Sequence, residues 1–263
     1  MKIFALVKAE LKIHKKEIIG WMLAMFFISF FYTFLFPSVK DIAQAKMEAM
    51  PEALLKMVGM ASMQDMGNYI HYSGIILGML LIAITIFASI FASRILLDEE
   101  RNQTIEFLYA MPLSRTTIYM SKFITCFIVT WLVVVCAIAA MFLCGYLHDE
   151  KTFVVMDMMK ISKVCALIPF IFMCISFGLA GSSKKASGMV GCGIVMISYF
   201  AGYLSSLLSE DYEWLSYSSP FQRLSYQHAI QLDEEVIITL LCYLAIAAIF
   251  IIIGLFNYKK RDL

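Results

Sequence analysis

Apolar positions along this chain fall into six long runs that are separated by short polar segments. No Asp, Glu, Lys, Arg or His interrupts any of these runs, and each comes close to or exceeds the roughly 20 residues that a helix needs to cross a bilayer. Their apolar character is continuous rather than alternating, and backbone groups in lipid must be paired within their own segment, so helices are predicted rather than barrel strands. The runs, spans one to six, are Ile18–Phe36, Tyr72–Ser93, Phe123–Leu147, Val164–Ser183, Ala186–Ser209 and Val236–Tyr258.

The pattern therefore predicts an all-α, polytopic membrane protein with a single transmembrane domain over residues 1–263. Composition agrees, since 61% of the residues are hydrophobic and 16% are charged, whereas a soluble domain is about a quarter charged. The net charge of +1 gives no reason to expect a nucleic-acid partner. The first run exceeds the roughly 7–15 apolar residues of a signal peptide, so we expect it to be retained as span one.

The basic residues predict the orientation of the chain. With the N-terminus in the cytoplasm, fourteen of the 21 lysines and arginines fall in inner segments, as the positive-inside rule requires. Both termini and the segment between spans two and three then face the cytoplasm. We expect a multi-pass protein of the cell membrane, namely the plasma membrane of a bacterium.

The sequence does not contain the residue patterns that several kinds of chemistry require. All seven cysteines lie inside predicted spans without a CxxC pair, which favours apolar packing over a metal site or a disulfide framework. Spans without ionisable residues argue against a proton relay. The paired acids Glu99–Glu100 and Glu234–Glu235 lack the arginine, four residues beyond the second acid, of a membrane glutamyl protease, and no GxSxG elbow occurs. We expect no enzyme activity from this chain by itself.

Glycines cluster around spans four and five, at Gly178, Gly181, Gly188, Gly191 and Gly193. Their spacing does not match GxxxxGK[ST], so they do not predict a phosphate-binding loop. Close helix packing through small residues is the favoured interpretation, and a hinge at the start of span five is the alternative. If ATP drives this protein, another chain must bind it.

The segment Leu96–Arg115 is a long polar interruption between spans two and three. Asp98, Glu99, Glu100 and Glu106 favour the N-terminal half of a helix because of the helix dipole. An apolar face is formed by Ile105, Leu108, Tyr109 and Pro112. Pro112 ends this helix, and Ser114 can cap a new helix that continues into span three. We predict a short helix across the cytoplasmic face, which either lies on lipid headgroups or fits a groove of a partner.

The run EERNQTIEFLYAMPLSRTTIYMSK, Glu99–Lys122, resembles the signature of type-2 ATP-binding-cassette exporter permeases. That signature has mixed charges, Thr-Ile-Glu-Phe-Leu, a Pro-Leu-Ser-Arg step and a later lysine; many members have glycine where this chain has Gln103. Six spans with both termini inside also agree. The resemblance implies that this segment is a coupling helix in a cleft of a cytoplasmic ATPase. The implied contact residues are Glu99, Glu100, Arg101, Thr104, Ile105, Glu106, Leu108, Tyr109, Pro112 and Arg115.

Three other segments suggest local structures. Residues Lys2–Lys16 form an amphipathic pattern, either an in-plane elbow helix such as these permeases carry or a basic anchor. The stretch DYEWLSYSSPFQRLSYQHAIQ has a helix start at Ser219–Pro220, and its aromatics suit a membrane interface. The resemblance implies short re-entrant helices near the outer leaflet here, and a plain aromatic belt is the equal alternative. In the outer loop Ser38–Ile70, Pro51–Gly59 looks like a short helix, which would act as a lid or cover span ends.

The resemblance implies a homodimer that binds two ATPase subunits, with ATP and Mg²⁺ held by the ATPase and no cofactor or metal on this chain. Uncharged spans favour a hydrophobic or amphipathic cargo, such as a peptide toxin, an antimicrobial peptide or a lipophilic drug. The alternative is a non-transporting membrane scaffold or immunity subunit that docks an ATPase. Polar residues that could line the cargo path, or simply bond between helices, are Tyr32, Thr33, Tyr199, Tyr203 and Ser206.

Overall fold

The computed structural model of this chain describes residues 2–45, 67–101, 113–148, 153–183, 188–207, 210–231 and 234–260. Within these ranges the chain is helical and contains no strand, which confirms the all-α prediction. The α-helices are α1 (Lys2–Ile13), α2 (Lys15–Phe34), α3 (Phe36–Ala45), α4 (Tyr69–Arg101), α5 (Arg115–His148), α6 (Val155–Cys165), α7 (Leu167–Ser182), α8 (Gly188–Leu207), α9 (Pro220–Arg223), α10 (Tyr226–Gln231) and α11 (Glu234–Lys260). A 3₁₀-helix, Glu210–Ser218, precedes α9.

In the part of the chain that the structure describes, six helical stretches are long and apolar enough to cross a membrane, as the sequence predicts. They are Lys15–Phe34, Tyr69–Asp98, Arg115–His148, Val155–Ser182, Gly188–Ser205 and Glu234–Lys260. The fourth is not one helix, because α6 and α7 are separated by Ala166. Pro169 follows in the first turn of α7, and its missing N–H removes the backbone bond to the carbonyl of Cys165.

Helices α4 and α5 extend well beyond the predicted spans two and three. The prediction that Asp98, Glu99 and Glu100 lie in the N-terminal half of a helix is wrong, because they lie at the C-terminal end of α4. Helix α4 continues past Ser93 because the charge of Arg94 is paired with Glu17 and lies near Asp98. Most of the predicted docking helix, residues 102–112, lies outside the described residues, as does Pro51–Gly59.

Ser114 caps helix α5, as predicted from the sequence. The helix begins at Arg115, and the backbone N–H of Thr117 donates to Ser114 Oγ at 3.1 Å. This bond satisfies one of the free N–H groups at the start of the helix. The first residue of α5 is therefore determined by a contact between residues close in sequence.

Glycines allow α7 and α11 to cross at close range. A Cβ added at Gly178 would lie 2.2 Å from the carbonyl oxygen of Phe250, and one at Gly181 would lie 2.8 Å from the carbonyl oxygen of Gly254. The favoured interpretation of the glycine cluster, close helix packing, holds at this crossing. Gly193 differs, because a Cβ there would meet no described atom within 4 Å.

Polar contacts between distant segments define the two ends of the bundle. One end, which we call the motif end, holds the two flanks of the Glu99–Lys122 motif. There Arg115 Nη1 donates to the carbonyl of Lys259 at 3.0 Å, and Glu10 lies beside Lys122. The opposite end holds a cavity between α4 and α8, and we call it the cavity end. There Tyr72 Oη donates to the carbonyl of Tyr32 at 2.7 Å. Lys122 also donates to the carbonyl of Ile95, so the end of α1, the end of α4, the start of α5 and the end of α11 share the motif end.

Candidate functional site: a cavity and a charged cluster

A cavity of about 150 Å³ lies at the cavity end, between α4, α8 and the segment that holds α9 and α10. Helix α4 contributes Gly74 and Gly78, helix α8 contributes Tyr199 and Tyr203, and the third wall is formed by Ser219, Phe221, Gln222 and residues 224–227. Among the described residues that line the cavity, none carries a charge. The cavity is therefore an apolar space with uncharged hydrogen-bonding groups.

Two glycines bring the walls of this cavity together. A Cβ added at Gly74 would lie 2.6 Å from Cγ of Tyr226, so the absence of a side chain makes room for the tyrosine ring. On the other wall, a Cβ at Gly202 would lie 2.4 Å from Oγ of Ser219. Larger residues at either position would push the short α9–α10 segment away from the spans.

The cavity contains two of the residues that the sequence proposed for a cargo path. Tyr199 and Tyr203 line it, and Ser206 follows on the same helix, where the structure describes the backbone alone. Tyr32 and Thr33 lie on α2, outside this cavity. Thr33 Oγ1 donates to the carbonyl of Ser29 at 2.7 Å within its own helix, and Tyr32 is 48% exposed.

The α9–α10 segment was predicted only in part. Short helices do begin at Pro220 and Tyr226, and their placement in the membrane stays a prediction. The aromatic residues divide between two environments, since Tyr226 is buried while Trp214 is 64% exposed. Sequence reasoning identified Ser219 only as a helix start and did not identify it as part of a cavity.

A second polar site lies at the motif end and involves α1, α2, α4 and α5. Lys122 of α5 is only 2% exposed; its Nζ donates to the carbonyl of Ile95 and lies 3.5 Å from Glu10 Oε1. Arg94 of α4 pairs with Glu17 of α2. These ion pairs connect the N-terminal helices with the two helices that lead to the predicted docking segment.

His14 lies at the centre of this charged cluster, at the junction of α1 and α2. Its ring nitrogens lie 3.7 Å from Glu10, 3.8 Å from Glu17 and 4.0 Å from Asp98. The ring also packs edge-on against Phe91, with centroids 5.3 Å apart. Sequence reasoning did not identify this cluster, although the spacing of Glu10, His14 and Glu17 by four and three residues is the sequence signal that could have indicated it.

The predicted ATPase-contact residues lie beside this cluster or outside the described residues. Arg115 bonds to the carbonyl of Lys259. Glu99, Glu100 and Arg101 end α4, where the structure describes the backbone alone. Outside the described residues are Thr104, Ile105, Glu106, Leu108, Tyr109 and Pro112. Their contact with a partner stays a prediction.

Residues 6–259 match the family model described as "Multidrug efflux system permease Rv1217c, C-terminal domain". The chain belongs to this family. Comparison with curated proteins gives no match. The residues matched to the Rv1217c permease family span the charged cluster, the docking segment and the cavity. It confirms the prediction of an exporter permease in its general form, a multi-pass membrane protein of a permease family.

Proposed function

We propose that this chain is the transmembrane subunit of an ATP-driven exporter. Two copies form the translocation path for a hydrophobic or amphipathic cargo, and two separate ATPase subunits dock at the motif end, in the cytoplasm. The name of the Rv1217c permease family, a multidrug efflux system permease, supports the efflux role. The resemblance of Glu99–Lys122 to type-2 ATP-binding-cassette permeases supports the ATPase.

The observation that carries the proposal is the continuity of α4. This helix of 33 residues is about 50 Å long at 1.5 Å per residue. Gly74 and Gly78 line the cavity near its start, while Arg94 and Asp98 belong to the charged cluster near its end. A force applied to residues 102–112 would act directly on one wall of the cavity.

The charged cluster would make α4 and α5 respond together. Lys122 Nζ of α5 donates to the carbonyl of Ile95 on α4, and both flanks of the docking segment are thereby joined. The ion pair with Glu10 adds α1 to the same unit. We infer that closure of the ATPase displaces these helices as one body.

The size of the cavity supports a dimer. A volume of about 150 Å³ is below the roughly 300–1,000 Å³ of sites for drug-sized ligands. A second copy can add further binding surface, since α2 and α8 present apolar side chains at the surface, among them Phe27, Phe31, Ile197 and Phe200. Uncharged cavity walls suit a lipophilic drug or an amphipathic peptide.

Transport in proteoliposomes tests the proposal. The tagged chain is purified from its native membrane with the ATPase that accompanies it, and vesicles are loaded with ATP and a lipophilic dye. We expect ATP-dependent dye movement that continues when an uncoupler collapses the proton gradient at constant ATP, because the predicted spans hold no ionisable residue. We expect no ATP hydrolysis by the chain alone.

Two results would contradict this function. Movement that stops with the uncoupler at constant ATP would indicate a proton-coupled carrier. An ATPase that binds the chain without any movement of dye or of amphipathic peptide would favour the scaffold or immunity role. Native mass spectrometry of the same preparation measures the number of copies of each subunit.

A further inference from the structure

We propose that the cavity at the cavity end binds an uncharged aromatic group that carries a hydrogen-bonding substituent, and that the hydroxyl of Ser219 bonds to this substituent. This inference rests on the proposed function, in which the bound group belongs to the cargo. It adds a chemical class to that cargo and places one contact site within a single copy of the chain.

The side chain of Ser219 is a buried hydroxyl in the cavity wall. The residue is 0% exposed and forms part of the cavity wall. Within the described part of the chain, its Oγ has no hydrogen-bond partner. A buried hydroxyl without a partner is unfavourable, and a ligand that bonds to it removes this penalty.

Ser219 is placed where it could cap a helix, but its hydroxyl forms no capping bond. Ser219 occupies the N-cap position of α9, where a serine hydroxyl ordinarily accepts a bond from a backbone N–H, yet no such bond is formed. Its backbone N–H donates to the carbonyl of Ser216 at 3.1 Å, which fixes the turn without the side chain. The hydroxyl therefore remains buried and without a bond to any described residue, beside the backbone of Gly202.

The composition of the walls determines the charge of the ligand. Among the described residues that line the cavity, the polar ones are serine, tyrosine and glutamine, without an acid or a base. A charged ligand would lose its hydration without gaining a counter-charge. An uncharged ligand avoids this loss and can bond to hydroxyl and amide groups.

Aromatic rings and a bare stretch of helix determine the shape of the ligand. Tyr199 and Phe221 line the cavity and meet edge to face, with ring centroids 5.7 Å apart, an arrangement that a further aromatic ring can extend. A Cβ added at Gly78 would meet no described atom within 4 Å. A volume of about 150 Å³ suits a single substituted ring, since an apolar cavity of about this volume holds benzene.

Photolabelling of the full chain in lipid nanodiscs, without ATP, tests this inference. The probe is an aryl diazirine that carries a hydroxymethyl group. Two matched diazirines carry a methyl or a trimethylammonium group instead. We expect the alcohol to label residues 74–82 and 219–227 in a saturable manner. The ammonium probe should label them at least about tenfold less, because its charge has no partner there.

Substitutions separate the cavity from general lipid labelling. Gly78→Leu fills the space beside α4 and should abolish saturable labelling by the alcohol and methyl probes. Gly193→Leu is the matched control, because Gly193 also has open space at its Cβ but does not line the cavity. Gly78→Ala adds one methyl group and should reduce labelling partially, which keeps the test valid if the leucine variant folds poorly.

Ser219→Ala tests the hydroxyl itself. It should weaken labelling by the alcohol about tenfold and leave the methyl probe unchanged. Thermal stability should stay equal or rise, because an unpartnered hydroxyl is removed. Equal labelling by all three probes, or unchanged labelling in Gly78→Leu, would overturn the inference. Since ATP and the ATPase are absent, such a failure leaves the proposed ATP-driven transport untouched, and failure of that transport leaves this binding result standing.

Discussion

Lys122 Nζ lies 3.5 Å from Glu10 Oε1, and this ion pair joins two helices that are separated by more than 100 residues of sequence. Lys122 is almost fully buried, and its ammonium group also donates to the carbonyl of Ile95. A buried ammonium needs such partners because it has lost its hydration. The first helix of the chain is thereby fixed to α4 and α5 beside the predicted docking segment.

Removal of Glu10 should destabilise the protein. In Glu10→Gln the buried charge of Lys122 loses its carboxylate, which can reduce the free energy of unfolding by about 3–5 kcal/mol. Thermal unfolding in detergent measures the loss. Lys12→Gln is the control, because Lys12 is exposed on the same helix. The double variant Glu10→Gln/Lys122→Met should be more stable than Glu10→Gln, and equal stability of the two would contradict a charge effect.

Gly178→Ala should disrupt the crossing of α7 and α11. The added methyl group would lie 2.2 Å from the carbonyl oxygen of Phe250, so the helices must separate, at about 1–3 kcal/mol or more. Gly193→Ala is the matched control in α8. Its methyl group meets open space, and alanine favours the helix over glycine by about 1 kcal/mol. Similar unfolding temperatures for both variants would show that the close crossing is not essential.

Substitutions in the docking segment should weaken the association of the chain with its ATPase. Glu106→Arg and Leu108→Asp change a charged and an apolar position that the resemblance assigns to the contact. Loss of one partner of a buried interface charge weakens association by about 2–5 kcal/mol. Co-purification of the ATPase with the tagged chain measures the effect, with Lys163→Glu, exposed on α6, as control. Retention of the ATPase by both docking variants would exclude a groove-bound helix.

Single-cysteine labelling should establish the orientation of the ends. In a variant without native cysteines, residues placed at Asn102 and Lys259 should react from the cytoplasmic side alone. A cysteine at Gln64 should react from outside. The bond between Arg115 and the carbonyl of Lys259 already places the start of α5 and the end of α11 at the same end of the bundle. Reaction of position 102 from outside would invert the layout and remove the basis for cytoplasmic docking.

Six membrane-spanning stretches among the described residues, their apolar character and some of their boundaries could be predicted from the sequence, because these features depend on local pattern. An uncharged run of sufficient length must pair its own backbone in lipid, and the six spanning stretches follow from that requirement. Ser114 caps α5 because its hydroxyl reaches the N–H of Thr117 three residues away. Glycines near spans four and five indicated close packing, though not their partners on α11.

The tertiary structure decided which polar residues share a site. Tyr199 and Tyr203 line a cavity with Ser219, while Tyr32 and Thr33, equally suitable by composition, lie elsewhere. No local pattern distinguishes these pairs, because their surroundings are supplied by helices from distant parts of the chain. The same holds for Lys122, whose burial beside Glu10 permits α5 to begin before its apolar run. The sequence alone determined where helices form, and the packing of those helices determined which side chains meet, since helix formation depends on near neighbours and packing on distant ones.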